Sequence, residues 1–307
     1  MLAPMGEREP LLDYGRLWES PKRILLPQWD PIVSLRQEGP AGRYDTEKRV
    51  LFGLRPCDAA AIEYLDEFYS RNFADPHYLT RRKNSLLLVV ACEQPEETCF
   101  CLSMGTGPAA SAGFDLQFYP YERGYLVEPG SQKGEELIKK WPEFFQDAPE
   151  DAELIVAQLK EAAEGRFEDT PDAEEAALII SRGEVGEEFW EEIARDCLNC
   201  GGCGFICPTC TCFNMVERKE GDAAFCRIRT WDACIFAGYT REASGHNPRD
   251  LERMRLARRY QDKLGPSGLK WPKFRCVGCG RCQEICLARL GSREVLRQLL
   301  IRVAKKS

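Results

Sequence analysis

Two short cysteine runs constrain this 307-residue chain more than any other feature in it. Residues 197–208 read CLNCGGCGFICP, in which Cys197, Cys200, Cys203 and Cys207 are separated by two, two and three residues, and Pro208 follows at once. Cys276, Cys279, Cys282 and Cys286 repeat those intervals in CVGCGRCQEIC. Three cysteines spaced by two residues can wrap one tight loop around a compact inorganic core. A fourth, a turn further on, points the other way.

This is the bacterial ferredoxin spacing for a 4Fe–4S cluster, whose last cysteine ligates the other cluster when two runs are present. The expected ligand sets are therefore Cys197, Cys200, Cys203 and Cys286 for the first cluster, and Cys276, Cys279, Cys282 and Cys207 for the second. Iron is the expected metal. Gly201, Gly202, Gly204, Gly278 and Gly280 fit a backbone that must approach the sulfides closely. The competing reading is a zinc ribbon, since two C-x2-C pairs also make one. Zinc takes four ligands and has no use for a third cysteine at the same step, nor for the trailing Cys-Pro, so the spacing favours iron–sulfur.

With 44% apolar and 30% charged residues the chain reads as an ordinary globular protein long enough for two domains. The longest apolar run, residues 86–92, is far too short to span a bilayer. No basic segment followed by an apolar one opens the sequence, so no secretory signal is read from MLAPMGEREP. Sixteen cysteines are then metal ligands in a reducing compartment rather than disulfides, and cytoplasm is the expected location. A formal charge of −7 argues against nucleic-acid binding, while anionic clusters give local arginines an electrostatic role. Only His77 and His246 are present, which leaves little for a histidine metal site or a Ser–His–Asp triad.

The expected fold is an α/β N-terminal domain, then a helical region, then a ferredoxin-like (bacterial 2×4Fe–4S) α+β domain with a long insertion. Residues 1–20 look irregular. Short buried strands are read at Arg23–Pro27 and Arg49–Leu54, a helix at Asp58–Tyr69, and a strand at Ser85–Ala91 whose continuous apolarity suits burial on both faces. Further strands at 115–119 and 123–128 complete about 150 residues of alternating elements. Helices follow at 132–140, 150–163, 173–181 and 186–196. The acidic piece 161–175 reads as a solvated face and linker. The boundary falls near 180, giving 1–180 as the α/β domain with a possible third 4Fe–4S site and 181–307 as the dicluster domain. The latter carries an insertion at 209–275 and a C-terminal docking helix from Ser292 to Ala304, with Ser292 as candidate N-cap.

A second cysteine group comprises Cys57, Cys92, Cys99 and Cys101. Cys57 stands in LRPCD, where a strand gives way to a helix, and Cys92 ends another strand. Both thus lie at the carboxyl edge where α/β sheets build sites. Cys99 and Cys101 belong to CFCLSMGTGP, a turn-rich loop. Spacing alone leaves open a third cluster, a core role for Cys92 and a lone reactive thiol at Cys57. Cys210, Cys212, Cys226 and Cys234 form no familiar spacing and read as buried or supporting residues. Near them, Arg227, Arg229, Trp231, Asp232, His246 and Arg249 can serve cluster sulfurs or a partner surface. The basic helix carrying Arg249, Arg253, Arg255, Arg258 and Arg259 reads most simply as a solvated face.

Taken together, LRPCD, CFCLSMGTGP, CPTCTCF, RIRTWDAC, GHNPR and the two runs resemble one iron–sulfur family. It is shared by the beta subunit of cytoplasmic nickel–iron sulfhydrogenases and the corresponding iron–sulfur subunit of anaerobic sulfite reductase. The resemblance covers roughly residues 23–286 in unbroken motif order. It implies a third 4Fe–4S cluster on Cys57, Cys92, Cys99 and Cys101, and it places Cys210, Cys212 and Cys234, but not Cys226, on family motif positions. Leu287 departs from the usual proline. The resemblance further implies an electron-relay subunit without a catalytic site of its own. Its implied partners are a catalytic subunit of nickel–iron or sirohaem type and a flavin/NAD(P)H-binding subunit. Consistently, no G-x-G-x-x-G follows a strand, so no flavin or NAD is expected on this chain. The alternative is a catalytic heterodisulfide or sulfur reductase-type subunit using Cys57 or an open cluster site. A zinc-stabilised interaction module is a weaker third reading.

Overall fold

The computed structural model describes residues 16–71, 73–221, 224–265 and 272–305. The N-terminal decapeptide and most of the irregular stretch 1–20 lie outside the described residues. Residues 16–20 form neither helix nor strand.

In chain order the elements are α1 (Lys22–Leu25), β1 (Trp29–Arg36), β2 (Gly39–Gly42), β3 (Arg49–Leu54), α2 (Pro56–Ser70), α3 (Pro76–Lys83), β4 (Ser85–Val90), β5 (Leu116–Tyr121) and β6 (Gly124–Pro129). Then follow α4 (Gln132–Lys140), α5 (Ala152–Glu164), α6 (Ala173–Arg182), α7 (Glu187–Asp196), α8 (Gly202–Phe205), β7 (Phe213–Lys219), β8 (Phe225–Trp231), α9 (Glu252–Leu264), α10 (Arg281–Ile285) and α11 (Ser292–Ala304). The four helices read at 132–196 form as α4 to α7 with ends shifted by a residue or two, the usual uncertainty of helix termini.

One sheet has the order β3-β4-β5-β6, parallel except for the antiparallel β5–β6 hairpin. Leu51, Leu87 and Val89 bury against α2 through Ala59, Ile62 and Leu65. Pro56 occupies the first turn of α2, where its missing N–H is no loss, and the Asp58 carboxylate accepts the Arg55 backbone N–H at 3.4 Å. That junction fixes Cys57 at the helix start. Asp75 caps α3 in the same manner, accepting the N–H groups of His77 and Tyr78.

The other sheet, β2-β1-β8-β7, is antiparallel, and the sequence reading did not foresee it. Pro31 lies within β1, and proline in a strand ordinarily demotes it. Here the pairing of β1 with β8 shifts register between Pro31 and Val33, so a bulge absorbs the missing donor. The hairpin β7–β8 comes from the stretch read as an insertion, and β1 from the first fifty residues. Segments far apart in the sequence thus build this sheet.

Two local expectations are corrected. Residues 23–27, read as a strand, form the end of the helical turn α1 (to Leu25) and the two residues after it, with Leu25 and Leu26 buried. A short apolar run buries either way and cannot distinguish the two, and Pro21 presets a helical φ at the start. Ser292 is not the cap of α11: Gly291 holds that position, and Ser292 turns its polar groups toward Cys282. No helix of the described residues is long and apolar enough to cross a membrane.

Candidate metal centres

The two ferredoxin-type runs fold alike. In each, a glycine in the left-handed region (Gly201 at φ 73°, Gly280 at φ 73°) turns the chain into a short helix, α8 or α10, that carries the third cysteine. The two helices lie together: a Cβ on Gly202 would touch the Ile285 side chain at 3.5 Å. Burial is the first cause that raises the Cys197 and Cys203 thiols, and Cys286 is among the charges that add to it. Burial likewise raises Cys276, Cys279 and Cys282, with Cys207 among the contributing charges in all three. The last cysteine of each run therefore stands beside the other run.

Backbone donors point at several of these sulfurs. Asn199 N–H lies 3.4 Å from Cys197 Sγ, Leu290 N–H 3.3 Å from Cys286 Sγ and Ser292 N–H 3.3 Å from Cys282 Sγ. Such donors favour thiolate and fix its direction. Cys200 is exposed, and the neighbouring large apolar side chains Leu198 and Leu287 stand 65% and 87% open. Cys276, Cys279 and Cys282 are buried.

Buried cations surround the middle of this arrangement, and here the sequence reading of a solvated basic helix is corrected. Arg255, Arg259 and Lys263 of α9 are buried, repeating at the four-residue spacing of one helix face. Arg258 alone among the arginines of α9 is exposed, and the half-buried Arg253 pairs with Glu187 at 2.7 Å. Charge is buried only against charge or hydrogen bonds. Arg255 donates to the carbonyls of Ile235 and Asp250. Lys263 Nζ donates to Thr209 at 3.1 Å, and the Cys207 and Cys210 charges outweigh its burial and raise its pKa. Lys22, from α1, donates to the Cys210 carbonyl at 3.3 Å; there burial prevails and lowers its pKa.

The structure brings Cys57, Cys92, Cys99 and Cys101 around one small recess, lined also by Arg16 and Gly107. A Cβ on Gly107 would sit 2.7 Å from Cys101 Sγ, so only glycine leaves that sulfur its space. Cys57 and Cys101 pack against Cys279 and Val277 in one buried cluster. The loop 98–101 is clamped onto the second run: Phe100 N–H donates to the Gly278 carbonyl at 2.8 Å and Thr106 Oγ1 to the Val277 carbonyl at 2.8 Å. Gly278 and Gly280, read as making room for sulfides, in fact make room for this loop. Their Cβ atoms would meet Cys101 Cα at 2.5 Å and the Thr98 carbonyl oxygen at 2.4 Å. Arg281, fully buried, seals the same seam with an ion pair to Asp58 at 2.8 Å. As free thiols these cysteines would be poor nucleophiles: burial pushes Cys57 and Cys101 well up, and Cys92 up to about 12.

Of the remaining cysteines, Cys210 hydrogen-bonds Cys207, and Cys212 pairs with Cys234 and the Tyr239 hydroxyl. Cys226 lies apart on β8, with Arg43 Nη1 at 3.5 Å from its sulfur. Among the described residues, no three Cys, His, Asp or Glu side chains close on a point as a single ion requires. The donor set fits anionic clusters instead. Arg259 Nε and Arg16 Nε are buried without a hydrogen-bond partner among the described residues, each beside cysteines of these sets. Spacing exposed the cysteines, but not Arg16, Lys22, Arg259, Lys263 and Arg281. Isolated basic residues carry no sequence signal of burial.

Residues 196–290 match the 4Fe–4S dicluster domain. Sulfhydrogenase 2 subunit beta of Pyrococcus furiosus is 33% identical over 290 residues, spanning 94% of this chain and 85% of its own length. No solved structure matches. With its two ferredoxin-type cysteine runs and that extent of identity, the chain belongs to the family of sulfhydrogenase beta-type iron–sulfur subunits.

Proposed function

We propose that this chain is the electron relay of a multi-subunit cytoplasmic oxidoreductase, passing single electrons between a flavin/NAD(P)H module and a catalytic subunit of sulfhydrogenase type. The reading assigns three cluster sites. Cys197, Cys200, Cys203 and Cys286 hold the first, Cys276, Cys279, Cys282 and Cys207 the second, and Cys57, Cys92, Cys99 and Cys101 the third. Bound 4Fe–4S clusters supply one-electron carriers of protein-tuned potential. The chain's own part is to bury, space and electrostatically balance them, with residues 1–180 furnishing the third site and 181–307 the other two.

The observation that carries this reading is contiguity: Cys279 of the second set shares one buried cluster with Cys57 and Cys101 of the third. Cys207 and Cys286 then cross between the two runs. No group among these sets is placed for acid–base chemistry, and the raised thiol of Cys57 weighs against its use as a nucleophile.

The test is anaerobic purification followed by iron and acid-labile sulfide analysis of the wild type, C57S and C207S. The expected result is three 4Fe–4S clusters in the wild type, with each variant losing one site's worth of iron while the remaining sites persist. Zinc in place of iron and sulfide, or C57S with full iron and altered chemistry toward a disulfide, would overturn it.

A further inference from the structure

Arg259 stands where no surface arginine would. Its residue is 2% exposed, and it reaches inward from α9 at a level fixed by its neighbour Tyr260, whose hydroxyl donates to the Leu290 carbonyl at 2.8 Å. The guanidinium donates to the carbonyl of Cys203, in the first set, at 3.1 Å. On its other side it lies 3.7 Å from the sulfur of Cys210, the residue that hydrogen-bonds Cys207 of the second set. Its Nε–H is buried with no partner among the described residues. It acts favourably on the charges of Cys203, Cys207 and Cys282, which span both sets. Lys263, one turn further on, acts on Cys207 and, among the cysteines outside the sets, on Cys210 and Cys212.

We propose that Arg259 is a positioning residue shared by both ferredoxin-type sites, a single buried cation that raises the reduction potentials of the two together and links their values. This rests on the cluster assignments proposed above. Reduction adds one negative charge to a site, and a fixed cation in a poorly screened interior stabilises that extra charge. Arginine suits the position because its planar fork offers donors in several directions at once, whereas a lysine ammonium is a single point charge. Lys263 supplies the internal comparison, since it neighbours one site and not the other.

The experiment is an anaerobic redox titration, followed by electron paramagnetic resonance, of the loaded wild type, R259Q, R259K and K263Q, with iron and sulfide measured for each. R259Q is expected to lower two midpoints. Each shift should be at least tenfold in the reduction equilibrium, or about 59 mV for a one-electron couple. K263Q should lower one of those two and leave the other in place. R259K, which keeps the charge and loses the fork, should fall between wild type and R259Q at both. Should R259Q fail to load, R259K against wild type decides: two lowered midpoints support the inference, and either midpoint unchanged overturns it. A loaded R259Q with both midpoints at wild-type values reduces Arg259 to a structural role and sinks the inference alone. A wild type without iron and sulfide sinks instead the cluster reading beneath it.

Discussion

At the scale of single residues, the environment of a cysteine separates it from its neighbours more sharply than its spacing does. Cys212 and Cys234 flank the open end of the β7–β8 hairpin, where the Asp232 N–H donates to the Cys212 carbonyl at 3.0 Å. Cys234 donates to the Cys212 sulfur, as does the Tyr239 hydroxyl, and these bonds lower the Cys212 thiol to about 6 against opposing burial. The partner thiol of Cys234 is raised in turn by the same hydrogen bond. A depressed thiol is stabilised by the fold in its thiolate form. Its contribution is therefore complete above the ordinary thiol pKa near 9 and is lost as pH falls through about 6. Alkylation of the folded protein by iodoacetamide, read by mass spectrometry, should show Cys212 reacting with a midpoint near pH 6. Removing the donor in C234A should shift that midpoint toward 9. A midpoint near 9 in the unmodified protein would contradict this pairing of Cys212 with Cys234 and Tyr239. None of this was visible in CPTCTCF, because a thiol's partners come from residues more than twenty positions away.

At the scale of elements, the second sheet is tied to the first part of the chain by a buried charge network. Asp30 of β1, fully buried, accepts from Arg81 of α3 and from Arg229 of β8 at 2.7 Å, while Arg229 also pairs with Asp75, the cap of α3. One carboxylate thus neutralises two buried guanidiniums from different elements. Replacing Asp30 by alanine leaves Arg229 only Asp75 and Arg81 only the more exposed Asp45 at 3.4 Å, and breaking a buried pair in this way costs up to about 3–5 kcal/mol. D30A is therefore expected to unfold at lower denaturant, with a loss of that size by anaerobic guanidinium titration; a loss under about 1 kcal/mol would show the network to be dispensable. The sequence announced the parallel strands β3 and β4 through continuous apolar runs. It hid β1, β7 and β8, whose exposed faces and internal proline dilute any period of two. The buried face of α9 was hidden for a related reason: arginine and lysine count as polar in a pattern, yet here they meet carbonyls, a hydroxyl and a cysteine sulfur rather than water.

At the scale of the whole molecule, the third cysteine set is joined to the other two through one seam, and glycine permits it. Gly278 has φ +60°, and a Cβ there would lie 2.5 Å from Cys101 Cα and 2.6 Å from Cys101 N, both backbone atoms that cannot swing aside. G278A should push the 98–101 loop off the second run, break the Phe100–Gly278 hydrogen bond and open the recess around Cys57. Its own left-handed strain adds about 1–2 kcal/mol, so a control with strain alone is needed. Gly105 provides it, at φ +67° with nothing within 4 Å of its added Cβ. Iron in G278A should fall by about a third, as loss of one of three equal clusters requires, while G105A stays near wild type. Because the same site is lost in C57S, the double variant C57S/G278A should lose no more iron than C57S alone. Additive losses in the double variant would mean that Gly278 serves the Cys276–Cys282 site itself. In that case the two cysteine systems would be neighbours without being one continuous assembly, and the relay would lack its third member.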